Sequence, residues 1–259
     1  MDIAIIGGTG VDEMPEFTSG KPELIATRFG DAIVLRGIED GRILYFLPRH
    51  GLDHAVGPSQ INYRAQIAAL KSLGVGAVIG VCAVGSLRMD VVPGSFAVLG
   101  DFIDLTRHRI CTFFDEPAGP PAHTDFTEPY CPWVSKALTQ ACADTHADCT
   151  PNAIYIGVDG PRYETPAEIR LYASWGGDVI GMTNVPEAVL AREAGLCYGA
   201  LGVVTNVAAG LGASPLGHDD VRSAVAAAKP RLQAVLRSAA GRLGDRGICN
   251  CRSNTKLVL

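Results

Sequence analysis

Positive charge and long apolar runs are what this sequence has least of. Its 259 residues carry 22 lysines and arginines against 27 aspartates and glutamates, a formal net charge of −5. That balance offers no basic surplus for a nucleic-acid backbone or an anionic membrane surface, so a small anionic substrate would need a local positive pocket. No apolar run approaches the roughly 20 residues that span a bilayer. The opening residues, Met1-Asp2-Ile3-Ala4-Ile5-Ile6, enter a strand-like run at once, with no basic segment or small-residue cleavage site. No signal peptide is expected, and the chain reads as cytoplasmic. Close cysteine pairs are scarce as well: Cys249-Asn250-Cys251 stands alone, and the other six cysteines are scattered. With no second pair at ligand spacing, a zinc site is not expected. The scattered cysteines read as buried free thiols, and a redox or tail-tethering role for the 249–251 pair stays open. The glycine run Gly7-Gly8-Thr9-Gly10 also lacks what a dinucleotide fingerprint requires, because Glu13 stands where a further Gly or Ala belongs, and no P-loop lysine follows. Neither a metal nor an organic cofactor is expected.

What the chain does have is strand–helix alternation. Apolar, β-branched runs at 3–6, 77–84, 96–103, 153–156, 178–182 and 196–205 read as strands, and 31–47 as two strands around Glu39-Asp40-Gly41. Helical spacing predicts helices over 58–73, 132–147, 166–175, 184–195 and 219–243, the last one kinked at Pro230. Asn184 is a plausible N-cap for its helix, with Glu187 three residues on. Residues 106–130 form a long irregular stretch carrying His108 and His123, a length that points to function or an interface. No linker or internal repeat interrupts the pattern. The expectation is a single α/β domain over 1–244, with a central mixed, partly parallel sheet flanked by helices, and a polar tail over 245–259.

One stretch says most about chemistry. Gly157-Val158-Asp159-Gly160-Pro161-Arg162-Tyr163-Glu164-Thr165 leaves a buried strand and enters a helix through Thr165-Pro166-Ala167-Glu168, a capping box with proline in the first helical position. Tyr163 offers an aromatic face and Glu164 a carboxylate, so a flat heterocycle could stack on one and hydrogen-bond to the other. A structural turn with a packed Tyr and a solvated Glu explains the same residues. Thr9, Arg49-His50, Met182-Thr183 and Asn206 also follow predicted strands, and strand ends of α/β sheets converge on one crevice. Arginine beside histidine on a loop leaving a buried strand suits a phosphate. Two chemistries thus stand together: an anion cradle (Thr9, Arg49, His50, Thr183) and a base-sized slot (Tyr163, Glu164, Asn206).

Taken in order, Ile5-Ile6-Gly7-Gly8-Thr9-Gly10, Arg49-His50-Gly51, Asn62-Tyr63-Arg64-Ala65, Gly160-Pro161-Arg162 and Gly181-Met182-Thr183, with Val185-Pro186-Glu187, resemble the trimeric purine nucleoside phosphorylase and methylthioadenosine phosphorylase family. The resemblance runs from residue 2 to about 243 and leaves the tail uncovered. It implies phosphorolysis, in which inorganic phosphate is the co-substrate and attacks the anomeric carbon of a purine nucleoside. It further implies that Thr9, Arg49, His50, Thr183 and the Ala83 N–H hold phosphate, that Met182 packs under the ribose, and that Tyr163 packs against the base. Glu164, Asn206 and His50 would carry the catalytic contacts. His123 would line a neighbouring subunit's sugar pocket in a homotrimer, and His218, before Asp219-Asp220-Val221, would bind the 5′-hydroxyl. Two positions depart from the methylthioadenosine branch: Cys82 replaces a threonine beside the phosphate, and Asn206 and Ala208 replace aspartates that read a 6-amino group. A carboxylate at Glu164 only accepts, which suits the N1–H of a 6-oxopurine, while Asn206 can both donate and accept toward O6 or N7. The expected activity is phosphorolysis of inosine and guanosine. Methylthioinosine phosphorolysis is the near alternative, and a nucleoside-binding protein without catalysis the distant one.

Overall fold

Five consecutive apolar residues suit a strand covered on both faces, and β1 (Ile3–Gly7) is buried at every position. The computed structural model describes residues 1–8, 11, 13–18, 20–39, 41–115, 119, 122–212, 218–244 and 247–257. After β1 come a short helix α1 (Pro15–Thr18), the strands β2 (Pro22–Thr27), β3 (Gly30–Glu39) and β4 (Arg42–Pro48), and helix α2 (Tyr63–Ser72). The central strand β5 (Ala77–Ser86) leads to β6 (Phe96–Asp104), a short β7 (Ala122–Thr124), α3 (Pro132–Asp144) and β8 (Cys149–Gly157). The chain continues through α4 (Pro166–Ser174), β9 (Val179–Gly181), α5 (Asn184–Glu193), β10 (Cys197–Val207) and α6 (His218–Arg242), and ends in a 3₁₀ turn (Cys251–Ser253) and β11 (Thr255–Leu257). This is the expected α/β domain with a mixed sheet.

The sheet does more than lie open. From β5 it runs through β1 and β4 in parallel, then antiparallel through β3 to β2. On the other side, β5 pairs with β10, β10 with β6, β6 with β8, β8 with β9, and β9 again with β5. Five strands therefore close on themselves, and β5 is the seam between that ring and the open wing. Along one edge β5 is paired with β1 only as far as Gly80, and β9 takes over only at Gly85. Among the described residues no strand covers that edge from Val81 to Val84.

Two apolar layers hold the sheet. Residues of α3 and α6 (Val134, Leu138, Leu232, Leu236) pack with Ile3, Ile5 and Ile79 on one side. Residues of α2 and α5 (Ile67, Leu70, Val185, Leu190) pack with Ile6, Val78 and Val204 on the other. The alternation of Ile3 and Ile5 against Ala4 and Ile6 between the two layers is the period-2 rule of a strand buried on both faces. The capping box forms as expected: the Thr165 hydroxyl accepts from the Glu168 N–H at 3.2 Å, and Glu168 accepts from the Thr165 N–H at 2.8 Å.

Three expectations change. Helix α2 begins at Tyr63, because Asn62, whose side chain accepts from the Ala65 N–H at 3.1 Å, caps it there. The N-cap of α5 is Thr183, and Asn184 and Glu187 are wholly buried, so their polar groups serve the interior instead of a capping box. The tail set apart at 245–259 packs on the body where it is described. Cys251 is buried, and β11 pairs antiparallel with β7, in the stretch read as irregular.

Candidate active site

The uncovered edge of β5 leaves backbone groups that need partners, since a buried peptide group without one is costly. The Val81 carbonyl finds its partner in Arg49, whose Nη1 donates to it at 2.8 Å. Arg49 reaches that point from the end of β4, anchored by its own N–H to the Gly7 carbonyl at 2.9 Å. Its Nε and Nη2 donate to the two carboxylate oxygens of Glu187, the second at 3.0 Å, and both side chains are buried. Burial alone would discourage the charge, but the Glu187 carboxylate beside it more than offsets this and raises the Arg49 pKa. The sequence pointed Arg49 toward a phosphate, and the structure gives it a carboxylate, Glu187, as its built-in anion. Three of its five N–H groups are committed, and one on each Nη remains. Tyr198 also donates to Glu187 at 2.8 Å, Asn184 donates to the Tyr198 hydroxyl at 2.8 Å, and the Tyr130 hydroxyl donates to Asn184 at 2.6 Å. This buried chain ties the start of α5 to Arg49, and no local motif in the sequence announced it.

His50 follows Arg49 and is half-buried in that corner. Its Nδ1 stands 2.8 Å from the Val56 carbonyl, which fixes the proton on Nδ1 and leaves Nε2 with a lone pair. Burial, and then the Arg49 charge, lower its pKa, so the neutral ring is the resting form at pH 7. Ala83 is exposed in the middle of β5, two residues after Val81. Alternate residues of a strand turn their peptide groups to the same edge, so the Ala83 N–H faces the gap that Arg49 enters. Gly181 borders this gap: a Cβ there would stand 3.2 Å from the Ala83 carbonyl and 2.6 Å from the Tyr155 hydroxyl. Thr183 comes next, with its hydroxyl making no capping bond to α5. Cys82 points into the core, and burial pushes its thiol up to about 12, so it is a neutral, weak donor.

The base-sized end lies across the same seam. Asn206 pairs with Gly85 at an irregularity in the β5–β10 register. Its Nδ2 donates to the Val207 carbonyl at 3.0 Å, and its Oδ1 lies 2.8 Å from the Thr205 hydroxyl. The amide is thereby oriented with one N–H and one lone pair to spare. The turn after β10 brings Gly210 against Pro166, next to Glu164. Gly160, at φ +66°, allows Met182 to lie directly against the loop; any side chain there would collide with its sulfur. Arg162 is spent on Glu168 at 2.7 and 2.8 Å, and Tyr163 is at the surface. Glu164 is half-buried, and burial raises its pKa above the ordinary carboxylate range, with Glu168 adding to the effect.

That shift sets a pH dependence. In the N1–H-accepting role expected for it from the sequence, Glu164 acts in its ionised form, so kcat/KM for a 6-oxopurine nucleoside should fall as pH drops through its raised pKa, at a higher pH than an ordinary glutamate would give. Glu168 is held down to about 2, first by Arg162 and then by the Thr165 N–H. The stability it contributes is present above the unfolded glutamate pKa and is lost only as pH falls toward that depressed value. The helix cap thus outlasts the acid limb. Glu164→Gln should abolish the limb in a pH–rate profile; a limb that persists unchanged would assign it to another group.

Arg109 is a residue the sequence did not single out. Its side chain is almost wholly buried and gathers three segments: it donates to the Pro58 carbonyl, to the Asp159 carbonyl at 2.6 Å and carboxylate at 3.2 Å, and to the Met182 carbonyl at 3.4 Å. It also lines a cleft of about 370 Å³ with Phe29, Asn62, Tyr63 and His108. His123, in contrast, is exposed on β7, opposite Lys256 of β11. Thr9 and the side chain of His218 lie outside the described residues.

Comparison with known proteins places the chain in a family. A family model described as the phosphorylase superfamily matches residues 2–240. A probable 6-oxopurine nucleoside phosphorylase of Dictyoglomus turgidum is 41% identical, covering 99% of this chain and 97% of its own length. A probable S-methyl-5′-thioinosine phosphorylase of Methanothermobacter thermautotrophicus is also 41% identical, over 96% of this chain and 87% of its own. Among solved structures, methylthioadenosine phosphorylase from Schistosoma mansoni in complex with adenine superposes with a TM-score of 0.88 at 30% identity, covering 93% of this chain and 91% of that one. With its fold, its length and its strand-end motifs all accounted for, the chain belongs to the phosphorylase superfamily and is an enzyme.

Proposed function

We propose that this enzyme cleaves 6-oxopurine nucleosides, inosine and guanosine, with inorganic phosphate, releasing the base and ribose 1-phosphate. The observation that carries the reading is Asn206, held with a free N–H, in a site whose half-buried carboxylate, Glu164, makes no side-chain ion pair among the described residues. Phosphate binds at the uncovered edge of β5, against the remaining N–H groups of Arg49, the Ala83 N–H and the hydroxyls of Thr183 and Thr9. The Nε2 lone pair of His50 accepts the phosphate hydroxyl proton, so an unprotonated oxygen faces the sugar. That oxygen forms a bond to C1′ as the C1′–N9 bond breaks and its electrons pass into the purine. Asn206 donates toward N7 or O6 as charge develops there, and Glu164 accepts from N1–H. Met182 packs under the ribose and Tyr163 covers the base. No cofactor enters; phosphate is the co-substrate.

The nearest competitor is a methylthioinosine phosphorylase, favoured by the similarity to the relative so named. His218, the first residue of α6, decides between them in this reading. Imidazole can bond a 5′-hydroxyl but gains nothing from a thioether methyl. Base release should depend absolutely on phosphate. Inosine and guanosine should exceed methylthioinosine in kcat/KM, and adenosine and methylthioadenosine should trail all three. His218→Leu should narrow the gap between inosine and methylthioinosine, at a cost to inosine of about 1–3 kcal/mol. A wild type preferring methylthioinosine, with the order untouched by His218→Leu, would establish the competing activity.

The assembly in this reading is a cytoplasmic homotrimer, in which exposed His123 on its ribbon enters a neighbour's sugar pocket. No helix among the described residues is long and apolar enough to cross a membrane. Sedimentation should give a trimer; a fully active monomer would refute this arrangement.

A further inference from the structure

Four cysteines that are far apart in sequence meet in space. The sulfurs of Cys131, Cys197, Cys249 and Cys251 all lie within 4.8 Å of one another, with Cys131, Cys197 and Cys251 buried and Cys249 partly so. Sequence spacing did not bring this cluster to notice, because only the 249–251 pair is local. Cys131 is the N-cap of α3, Cys197 opens β10, and the Cys131 N–H donates to the Tyr198 carbonyl at 2.7 Å. The tail then folds back to deliver the other two.

We propose that these four thiolates form a structural site for a divalent metal of the zinc class. A tetrahedron with metal–sulfur bonds of about 2.3 Å has sulfur–sulfur edges of about 3.8 Å. Cys197 and Cys249 stand at 3.5 Å, close to such an edge and well beyond the roughly 2.05 Å of a disulfide. Two features of the surroundings suit anionic sulfur. The N-terminus of the 13-residue helix α3 presents its positive end to Cys131, which makes no side-chain capping bond. Arg192, only 3% exposed, directs Nη1 at the Cys251 sulfur, 3.6 Å away, and Nε at the Asp125 carbonyl. Among the described residues no carboxylate lies within ion-pair distance of Arg192. A buried guanidinium facing neutral thiols or a neutral disulfide would have no counter-charge there. Facing a metal tetrathiolate of net charge −2, it has one. Binding replaces four S–H protons, released to solvent, by four metal–sulfur bonds, with no change of oxidation state.

The site staples the tail to the body. Beyond it the chain makes β11, held by the Thr255 hydroxyl on the Glu193 carbonyl at 3.2 Å and paired with the β7 strand that carries His123. Loss of metal should therefore loosen 122–125 and 247–257 while leaving the Arg49–Glu187 interior in place.

The test uses the full chain purified without chelator. Elemental analysis should find about one equivalent of zinc per chain. Its denatured intact mass should be that of the fully reduced protein. A thiol-modifying reagent should release the metal, and Cys249→Ser and Cys251→Ser should each lose it. Chelation under denaturing conditions followed by refolding with cobalt(II) should give the thiolate charge-transfer and strong d–d bands of a tetrahedral sulfur site. Hydrogen exchange should then rise in the two tail-linked segments when the metal is removed. A wild type that holds no zinc and gives no such cobalt spectrum would overturn the proposal, whether or not the cysteine variants fold. So would an intact mass lower by the hydrogens of one or two disulfides, or zinc retained at full occupancy in both variants.

Discussion

Glu187→Ala should destabilise the protein by about 3–5 kcal/mol, because it leaves the Arg49 charge buried without its counter-ion. The pair is almost wholly buried: Arg49 is 3% exposed and Glu187 not at all. Tyr198 loses its acceptor at the same time, so the Asn184–Tyr130 end of the network loosens as well. The functional consequence should appear mainly in phosphate. Glu187 touches no reactant in the proposed mechanism, but it aims the two N–H groups of Arg49 left for the anion. The KM for phosphate should rise more than the KM for nucleoside. Urea unfolding and initial-rate kinetics read the two effects separately. Glu187→Gln keeps the shape and one acceptor, so it should recover part of the stability with less of the phosphate affinity. Unchanged phosphate kinetics in a folded Glu187→Ala protein would mean that Arg49 is a structural strut of the β5 edge and not a phosphate ligand.

Asn206→Asp should lower kcat/KM for inosine on the order of 10²–10³-fold, the usual cost of removing one preorganised donor at developing charge. The change is nearly isosteric, so its effect is chemical. Asn206 now donates to the Val207 carbonyl at 3.0 Å and keeps a second N–H; a carboxylate donates nothing and also faces that carbonyl. It would stand with Glu164 as a second acceptor, against the O6 of the base. Adenosine, which offers a 6-amino donor, should lose less or gain, so the inosine-to-adenosine ratio is the decisive measurement. A variant whose ratio matches the wild type would remove Asn206 from base recognition. A wild type that already prefers adenosine would remove the 6-oxopurine assignment itself.

Much is legible in the sequence because it is local. The buried strand 3–6, the antiparallel pairing of β3 with β4 and the capping box at Thr165–Glu168 each depend on neighbours within a few residues, and each forms. Strand-end placement of Arg49 and Asn206 follows from the same local patterning, since β4 and β10 run with β1 and β5 and deliver their ends to one side of the sheet; Met182 instead arrives from β9, which runs antiparallel to β5. Even the affinity of Arg49 for an anion was suggested by its place at the end of an apolar run.

What satisfied that affinity was not. Glu187 sits 138 residues from Arg49 and looks in the sequence like the third residue of a capped helix. Only the packing of α5 beside the β5 edge makes it a buried counter-ion. Arg109 reaches across 50 residues to Asp159 and 73 to Met182, and its sequence surroundings carry no periodicity that would mark it. Closure of five strands into a ring, and with it the uncovered stretch from Val81 to Val84, comes from pairing between strands, which no single strand encodes. The four cysteines make the same point. Spacing rules detect ligands that one turn brings together, whereas Cys131, Cys197 and the 249–251 pair are assembled by a helix start, a strand start and a returning tail. The sequence by itself determined the elements and which of their ends carry chemistry. The tertiary structure alone decided which buried charges and sulfurs meet, because those partners are chosen by long-range packing.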